Sequence, residues 1–439
     1  MTIGDEEFTE AAGPTLEFIG DISPEVTIPD AAQILIISKD QSFLTHGIHK
    51  FPAKFFPELP RYLIKRYSSR HATVLDPMCG SGTVVLESLL SQRRGIGIDI
   101  DPMARLITKV KTTPINSDLI DAFNKTLLNE TQERYVGQIE ETVIPEFSYR
   151  DKWFRPFVLK ELAIIRDSIE KTRILGAPDD VYDFHRVALS SIIRDVSNAD
   201  PHCTRTVIRK KHIRQISPGD TLAKFSEALD QQALAMNAFV DSLYGQHHHA
   251  PILTGKSAMD MNLEDSSIDL AVTSPPYINA VDYPRTHQLE MYWLGLNEEG
   301  PLSRMKRKYI GTETVYKEEY EKLTISGYDT LDPVLEKIHA IDSRRSYIVF
   351  KFFEDMKKQL RETYRVLRPG GHYCIAIGNN LVRGHRIESQ KILSEIASSD
   401  DVGFEIERSF FSGLIRHFIK IPRRERMNGE WVIILVKPT

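Results

Sequence analysis

The spacing of apolar and polar positions changes period several times along the chain, and each change predicts an element. "PELPRYLIKRYS" (57–68) places Leu59, Tyr62 and Leu63 on one helical face. "ATVLDPMCGSGTVVLESLLSQRRGIGIDIDPMARLI" then reads as strand, glycine-rich turn, helix, strand and helix, a βαβ unit with a short crossover. From about 112 to 250 the pattern is helical, as in "LKELAIIRDSIEKTRIL" and "DTLAKFSEALDQQALAMNAFVDSLYG", and strand alternation returns only at "ILTGKSAMDM". "SIDLAVTSPPY" resumes the sheet. A long helix is expected at about 346–367, where Val349, Phe352, Phe353, Met356, Leu360, Tyr364 and Leu367 recur at helical spacing. "RPGGHYCIAIGN" reads as a turn and a strand, and "FEIERSFF" with "EWVIILVKP" as a closing antiparallel pair.

These patterns divide the chain. Residues 1–30, acidic and rich in Pro, Gly and Thr, are expected to form a flexible arm. Residues 31–111 and 252–439 form one α/β sheet domain, interrupted by a mostly helical insertion at 112–251. One feature needs explaining. The buried strand Ile268–Val272 runs straight into "TSPPY", and two prolines can continue neither a helix nor a central strand. Such a rigid ledge at a strand's carboxyl end is where open α/β sheets bind ligands.

Composition narrows the class without naming it. The 439 residues are 41% hydrophobic and 27% charged with net charge −5, so any surface for nucleic acid must be local. The cysteines, Cys79, Cys203 and Cys374, are too scattered for a disulfide framework or a zinc site and fit a reducing cytoplasm. "HHH" (247–249) has no acidic or cysteine partner nearby and reads as linker, so no metal is expected. No apolar run approaches the roughly 18 residues of a membrane span, and the N-terminus is acidic where an export signal is basic.

The chemistry begins at "DPMCGSGT" (76–83). Gly80 and Gly82 permit a tight turn and close ligand approach, and the helix that follows offers free N–H groups. Asp99, at the end of the next strand, is placed to accept hydrogen bonds from both hydroxyls of a ribose. A dinucleotide turn wants a third glycine where Val85 stands, and a phosphate loop wants a Lys that is missing after Gly82. Asp76 opposes phosphate and suits a cationic ligand such as S-adenosylmethionine, whose amine and sulfonium are both positive.

"DPMCGSGT", "GIGIDID" and "TSPPY" together resemble the S-adenosylmethionine-dependent amino-methyltransferases, which methylate exocyclic amines of bases, chiefly in DNA. The resemblance covers roughly residues 45–110 and 252–437. It implies a seven-stranded class I methyltransferase sheet, Rossmann-like in topology. The Ser form of the Ser-Pro-Pro-Tyr motif resembles the cytosine-N4 branch. "HKFPAKFFPELP" (49–60) resembles the segment that closes the donor pocket. The donor site so implied comprises Phe51, Pro52, Ala53, Asp76, Pro77, Cys79, Gly80, Gly82, Thr83, Asp99, Ile100, Asp260 and Thr273, with Asp260 toward the adenine.

An exocyclic amine is a weak nucleophile because its lone pair is delocalised into the ring. Acceptors that hold its N–H groups and favour a tetrahedral nitrogen speed attack on the methyl carbon. The Ser274 hydroxyl and the Pro275 carbonyl, held by Pro276, are candidates, with Tyr277 expected to stack on a base flipped from the duplex. Asp282 and Tyr283 are further candidates for the base pocket. None of the cysteines is placed as a nucleophile for attack on a ring carbon. Three basic runs are candidate phosphate contacts: Arg205, Arg209, Lys210, Lys211 and Arg214; the "RMKRK" run (304–308); and Arg423 with Arg424 in the last. The insertion and the stretch Leu296–Ser343 are candidate target-recognition regions. The expected activity is methylation of cytosine N4 in double-stranded DNA, in company with a restriction nuclease or another defence system. The rivals are adenine-N6 methylation, guanine-N2 methylation of RNA, and a silent nucleic-acid-binding subunit.

Overall fold

The computed structural model describes residues 11–38, 40–137, 142–209, 214–245, 249–278, 282–297, 302–413 and 429–439. Its centre is a nine-stranded sheet. In chain order the strands are β1 (Thr15–Ile19), β2 (Gln33–Ile37), β3 (Thr73–Asp76), β4 (Arg94–Ile98), β5 (Ile252–Thr254), β6 (Ile268–Thr273), β7 (Leu367–Ile377), then β10 (Glu405–Gly413) and β11 (Gly429–Val436); β8 (Asn380–Val382) and β9 (His385–Ile387) form a separate hairpin. The spatial order is β1-β2-β10-β11-β7-β6-β3-β4-β5. Strand β11 runs antiparallel to both β7 and β10, and the other pairings are parallel.

The run β5-β4-β3-β6-β7-β11-β10 is the seven-stranded class I arrangement, with its antiparallel strand one place in from the edge. Two further strands extend it. The expectation of a loose arm at 1–30 is wrong for the described part of that segment. Residues 15–19 form β1, paired residue for residue with β2, and Ile22 and Ile28 are buried against the sheet. Leu16 and Phe18 alternate along β1, which pairs with the edge of β2 that β10 leaves open. Residues 1–10 lie outside the described residues. Within β7, the Arg368–Gly371 stretch read as a turn is instead a bulge: pairing with β6 shifts between Ile268 and Leu270.

Helices α1 (Glu58–Tyr67), α2 (Thr83–Leu90) and α3 (Pro102–Thr112) precede the insertion, which consists of α4 (Ser117–Val136), the single turn α5 (Arg150–Trp153), α6 (Pro156–Ile174), α7 (Asp179–Ile193) and α8 (Asp220–Ser242). The apolar core of these helices, built on Phe154, Phe184, Phe225 and Phe239, also takes in Leu86 and Leu89 of α2 and Leu106 and Val110 of α3. The insertion is thus packed onto the sheet domain through shared side chains. After β6 come α9 (Tyr283–Thr286), α10 (Gln288–Trp293), α11 (Leu302–Lys306), α12 (Asp332–His339) and α13 (Ser343–Val366), then α14 (Ser389–Ala397). Helix α13 buries Val349, Phe352, Phe353, Met356 and Leu360, the face expected from their spacing, against the sheet and α12. Among the described residues, no helix is long and apolar enough to cross a membrane.

Strands β3 and β6 are neighbours, and the chain leaves them in opposite directions, toward β4 on one side and β7 on the other. That reversal opens a crevice at their carboxyl ends, where both the glycine turn and the Ser-Pro-Pro-Tyr ledge lie.

Candidate donor and base-amine site

The glycine turn is built by its own βαβ unit. Gly80 and Gly82 have φ of +49° and +76°. A Cβ on Gly82 would overlap the Thr108 side chain of α3, so this position excludes every other residue. The turn's oxygens are held from below: Thr108 Oγ1 donates to the Gly80 carbonyl at 2.9 Å and Lys111 Nζ to the Ser81 carbonyl at 2.7 Å. Lys111 is buried, and burial pushes its ammonium well below the usual lysine range. Asp99 braces the turn's donors. One of its oxygens accepts from the Gly80 N–H at 2.9 Å and the other from the Asp101 N–H at 2.8 Å. Asp101 caps α3 through the N–H groups of Met103 and Ala104, with Pro102 in the first helical position.

Strands β3 and β6 are tied at their ends. Thr273 Oγ1 donates to Asp76 at 2.7 Å, which joins the donor turn to the last residue before the ledge. Burial pushes the Asp76 carboxyl up to about 7, against the Thr273 and Met78 hydrogen bonds that hold it down. Burial also pushes Asp99 up to about 7, helped by the charge of Asp101 and opposed by the two backbone N–H groups and Arg105. Two carboxyls poised near neutrality in one crevice are a receptor for a cation.

The crevice is a cavity of about 880 Å³, counting its open mouth. Of the expected site residues, Phe51, Ala53, Asp76, Pro77, Cys79, Gly80, Thr83, Asp99, Ile100, Ser274 and Pro276 line it together. Gly82 and Thr273 stand behind the wall as supports. Pro52 and Pro275 do not line it. Phe51 lies over Gly80 and stacks with Tyr283 (centroids 5.8 Å apart) on the cavity wall and with the buried His287 (5.0 Å) behind it. Cys79 is buried and burial pushes its thiol well up, as for Cys374, which leaves both unsuited to act as nucleophiles.

Two expectations need correction. Asp260 is exposed and does not line the cavity; its N–H closes a turn on the Ser257 carbonyl, and Ser257 and Ala258 reach the cavity instead. Tyr277 is not an open stacking platform. Its ring is buried in the core beneath the ledge, and its hydroxyl donates to Glu430 of β11. Tyr283 is the tyrosine on the cavity wall. It also lines a smaller adjoining cavity with Asp282, Arg205 and Lys306.

The basic runs divide. Arg205 is exposed at the rim of that smaller cavity, and Arg209 is part-buried. Arg214 is spent on the carboxylate and the backbone carbonyl of Asp195. Lys306 pairs with Asp282 at 2.7 Å and Arg307 with Glu319 at 3.0 Å. Lys210, Lys211, Arg423 and Arg424 lie outside the described residues. The wall residues missed by sequence reasoning include Lys54, Asp101, Lys308, Tyr309 and Ile310. Asp101 carried a readable signal, an N-cap followed by Pro. Lys308 was read only as the end of a basic run, and Tyr309 and Ile310 carried no signal, because their place on the wall depends on a long excursion after β6.

A family of DNA methylases that modify N6 or N4 amines matches residues 31–109. The Type II methyltransferase M.MvaI of Kocuria varians is 26% identical over 373 residues, 80% of this chain and 81% of that protein. M.AvaI of a Nostoc species is 24% identical over 391 residues, covering 82% of this chain and 79% of the relative. The similarity therefore runs through the insertion as well as the sheet. The chain is thus similar along most of its length to Type II DNA methyltransferases, and in residues 31–109 to the DNA amino-methylase family. The motifs at the ends of β3, β4 and β6 are three edges of one cavity.

Proposed function

We propose that this methyltransferase modifies the N4 amine of cytosine, in a base flipped out of duplex DNA at a specific sequence. The observation that carries the reading is that Ser274 and Pro276 share one cavity with the glycine turn, Asp76 and Asp99. The residues present fit the donor: an acidic, partly apolar crevice suits a ligand with cationic and aromatic parts. Asp99 is placed for the ribose hydroxyls, Asp76 for the amine, and Phe51 for an apolar face. Bound there, S-adenosylmethionine supplies an electrophilic methyl group.

The chain's own residues do the rest. Ser274 Oγ, on the ledge that Pro276 stiffens, accepts an N–H group of the incoming amine and turns its lone pair toward the cavity. The Phe51–Tyr283 wall, backed by His287, excludes water and supports an aromatic ring. The small cavity between Tyr283 and Arg205 is the entrance for the base, with Arg205 at its rim for the adjoining phosphate. The insertion 112–251 and the stretch 296–343 flank this entrance and form the target-recognition surface. The Type II names of the relatives support a cytoplasmic role beside a companion nuclease.

The test is nucleoside mass spectrometry on DNA from cells expressing the protein. N4-methylcytosine at one sequence supports the reading. N6-methyladenine moves it to the other amine with the same site chemistry. A methyl group on a ring carbon refutes it.

A further inference from the structure

The hydroxyl of Tyr277 has two polar neighbours, and neither is solvent. It donates to a carboxylate oxygen of Glu430, and the Ser274 hydroxyl, three residues back on the ledge, acts on it in the opposite sense, holding its acidity up against burial. Ser274 opens on the donor cavity, whereas Tyr277 is buried beneath the ledge. Glu430 lies on β11, a strand that shares no border with β6: β7 runs between them and ends at Ile377. Three oxygens thus lead from the cavity into the protein and end on a carboxyl.

We propose that Ser274, Tyr277 and Glu430 form a proton relay, with Glu430 as the group that takes up the proton released by the base amine. This rests on the amine-methylation reading above. When the amine nitrogen gains its methyl group it carries one proton too many, and the sulfur of the donor keeps the electron pair of the broken bond. The surplus N–H bond breaks as a Ser274 O–H forms. The former Ser274 proton passes to the Tyr277 oxygen, and the former Tyr277 proton to Glu430. The net change is one proton moved from the amine to the carboxylate, with Ser274 and Tyr277 restored. Glu430 acts through its neighbours and is a positioning residue in that sense.

The surroundings suit an acceptor. Burial pushes the Glu430 carboxyl up, and the Tyr277 hydrogen bond only partly offsets this, so the group binds a proton more readily than an exposed glutamate. Among the described residues, Tyr277 is the titratable group acting on Glu430, Tyr283 acts on Tyr277 only through its charge, and Ser412 of β10 is the register partner of Glu430. Among the described residues, no arginine or lysine shifts it.

The experiment is single-turnover methylation at saturating donor and duplex, across the acid and neutral range, for the parent, Glu430→Gln, Glu430→Ala and Tyr277→Phe. Glu430→Gln keeps an oxygen to accept from Tyr277 but cannot take a proton. It is expected to keep donor and DNA affinity, to slow the chemical step by about 10²-fold, and to lose the acid limb of the rate profile. Tyr277→Phe keeps the ring, interrupts the relay, and is expected to match it. A second readout needs no turnover. Infrared titration of the donor-free protein should show a carboxyl band titrating above the usual glutamate range, absent in Glu430→Gln. If Glu430→Gln keeps the parental rate and profile while Glu430→Ala is slow, Glu430 is a strut and the relay is overturned. Parental rates in all variants overturn it as well. A parent protein that transfers no methyl group to an amine overturns the proposed function itself, and the relay with it.

Discussion

The turn after β3 and the ledge after β6 face each other across one cavity, yet they are held by opposite means. The supports of its glycines come from the βαβ unit and the helix that follows it. Asp99, Thr108 and Lys111 lie within about one helix and one strand of the glycines they hold. The ledge is held from far away. Thr273 is tied to Asp76 across 197 positions, Tyr277 to Glu430 across 153, and the Ile278 carbonyl to Asn380 across 102. A locally closed unit forms a ready cradle whatever the rest of the chain does. A ledge that needs three distant partners exists only once the sheet is complete, so donor binding and methyl transfer should fail separately.

The largest expected effect breaks the local unit. Gly82→Ala forces a Cβ into Thr108 at a φ that only glycine adopts readily, and should destabilise the protein by about 2 kcal/mol or more. Thermal unfolding and calorimetry should show a lower Tm together with loss of donor binding. A normal Tm and normal donor affinity would end the account of the turn.

Ser274→Ala tests the other side of the cavity. It should leave donor affinity alone and slow single-turnover methylation by about 10²-fold, the scale of one lost preorganised hydrogen bond. A variant that lost both functions together would show that turn and ledge do not separate.

Asp99→Ala removes a charged acceptor worth roughly 1.5 to 3 kcal/mol, so donor affinity should fall about tenfold or more with the fold retained. The same carboxyls give a pH dependence. Asp76 and Asp99 titrate near 7 in the free protein, far above the ordinary 3.8, so their ionisation opposes folding progressively from about pH 4 to pH 7. A cationic donor prefers them ionised. Donor affinity should therefore rise with pH up to about 7 and then level off, with proton release on binding below that point. Calorimetry in buffers of different ionisation enthalpy measures the protons released, and affinity independent of pH would contradict the two raised carboxyls.

The smallest effect is expected at the rim. Arg205→Ala should weaken duplex binding a few-fold and reduce its salt dependence by about one contact, leaving donor affinity unchanged. Arg214→Ala should not mimic it, because Arg214 is already paired with Asp195.

The sequence by itself determined the donor half of the site. Gly80, Gly82 and Asp99 have conformational and hydrogen-bonding demands that local spacing already meets, and the alternation of β3, α2 and β4 places them correctly whatever surrounds them. The seven-stranded sheet was implied by the resemblance of its motifs, whereas the order of the strands was not legible along the chain. Tertiary structure alone decided the rest. Residues 15–19 became a strand because β2, docked on β10, offered them an edge. Asp260 pointed away because a tight turn on Ser257 brought that residue and Ala258 to the cavity. Tyr277, which in isolation reads as an exposed ring, went under the ledge because Glu430 arrived beside it from a strand laid down at the end of the chain. Spacing along a chain encodes contacts within a turn or a helix; a hydrogen bond across a sheet depends on which strands become neighbours, and that is settled by the packing of the whole core.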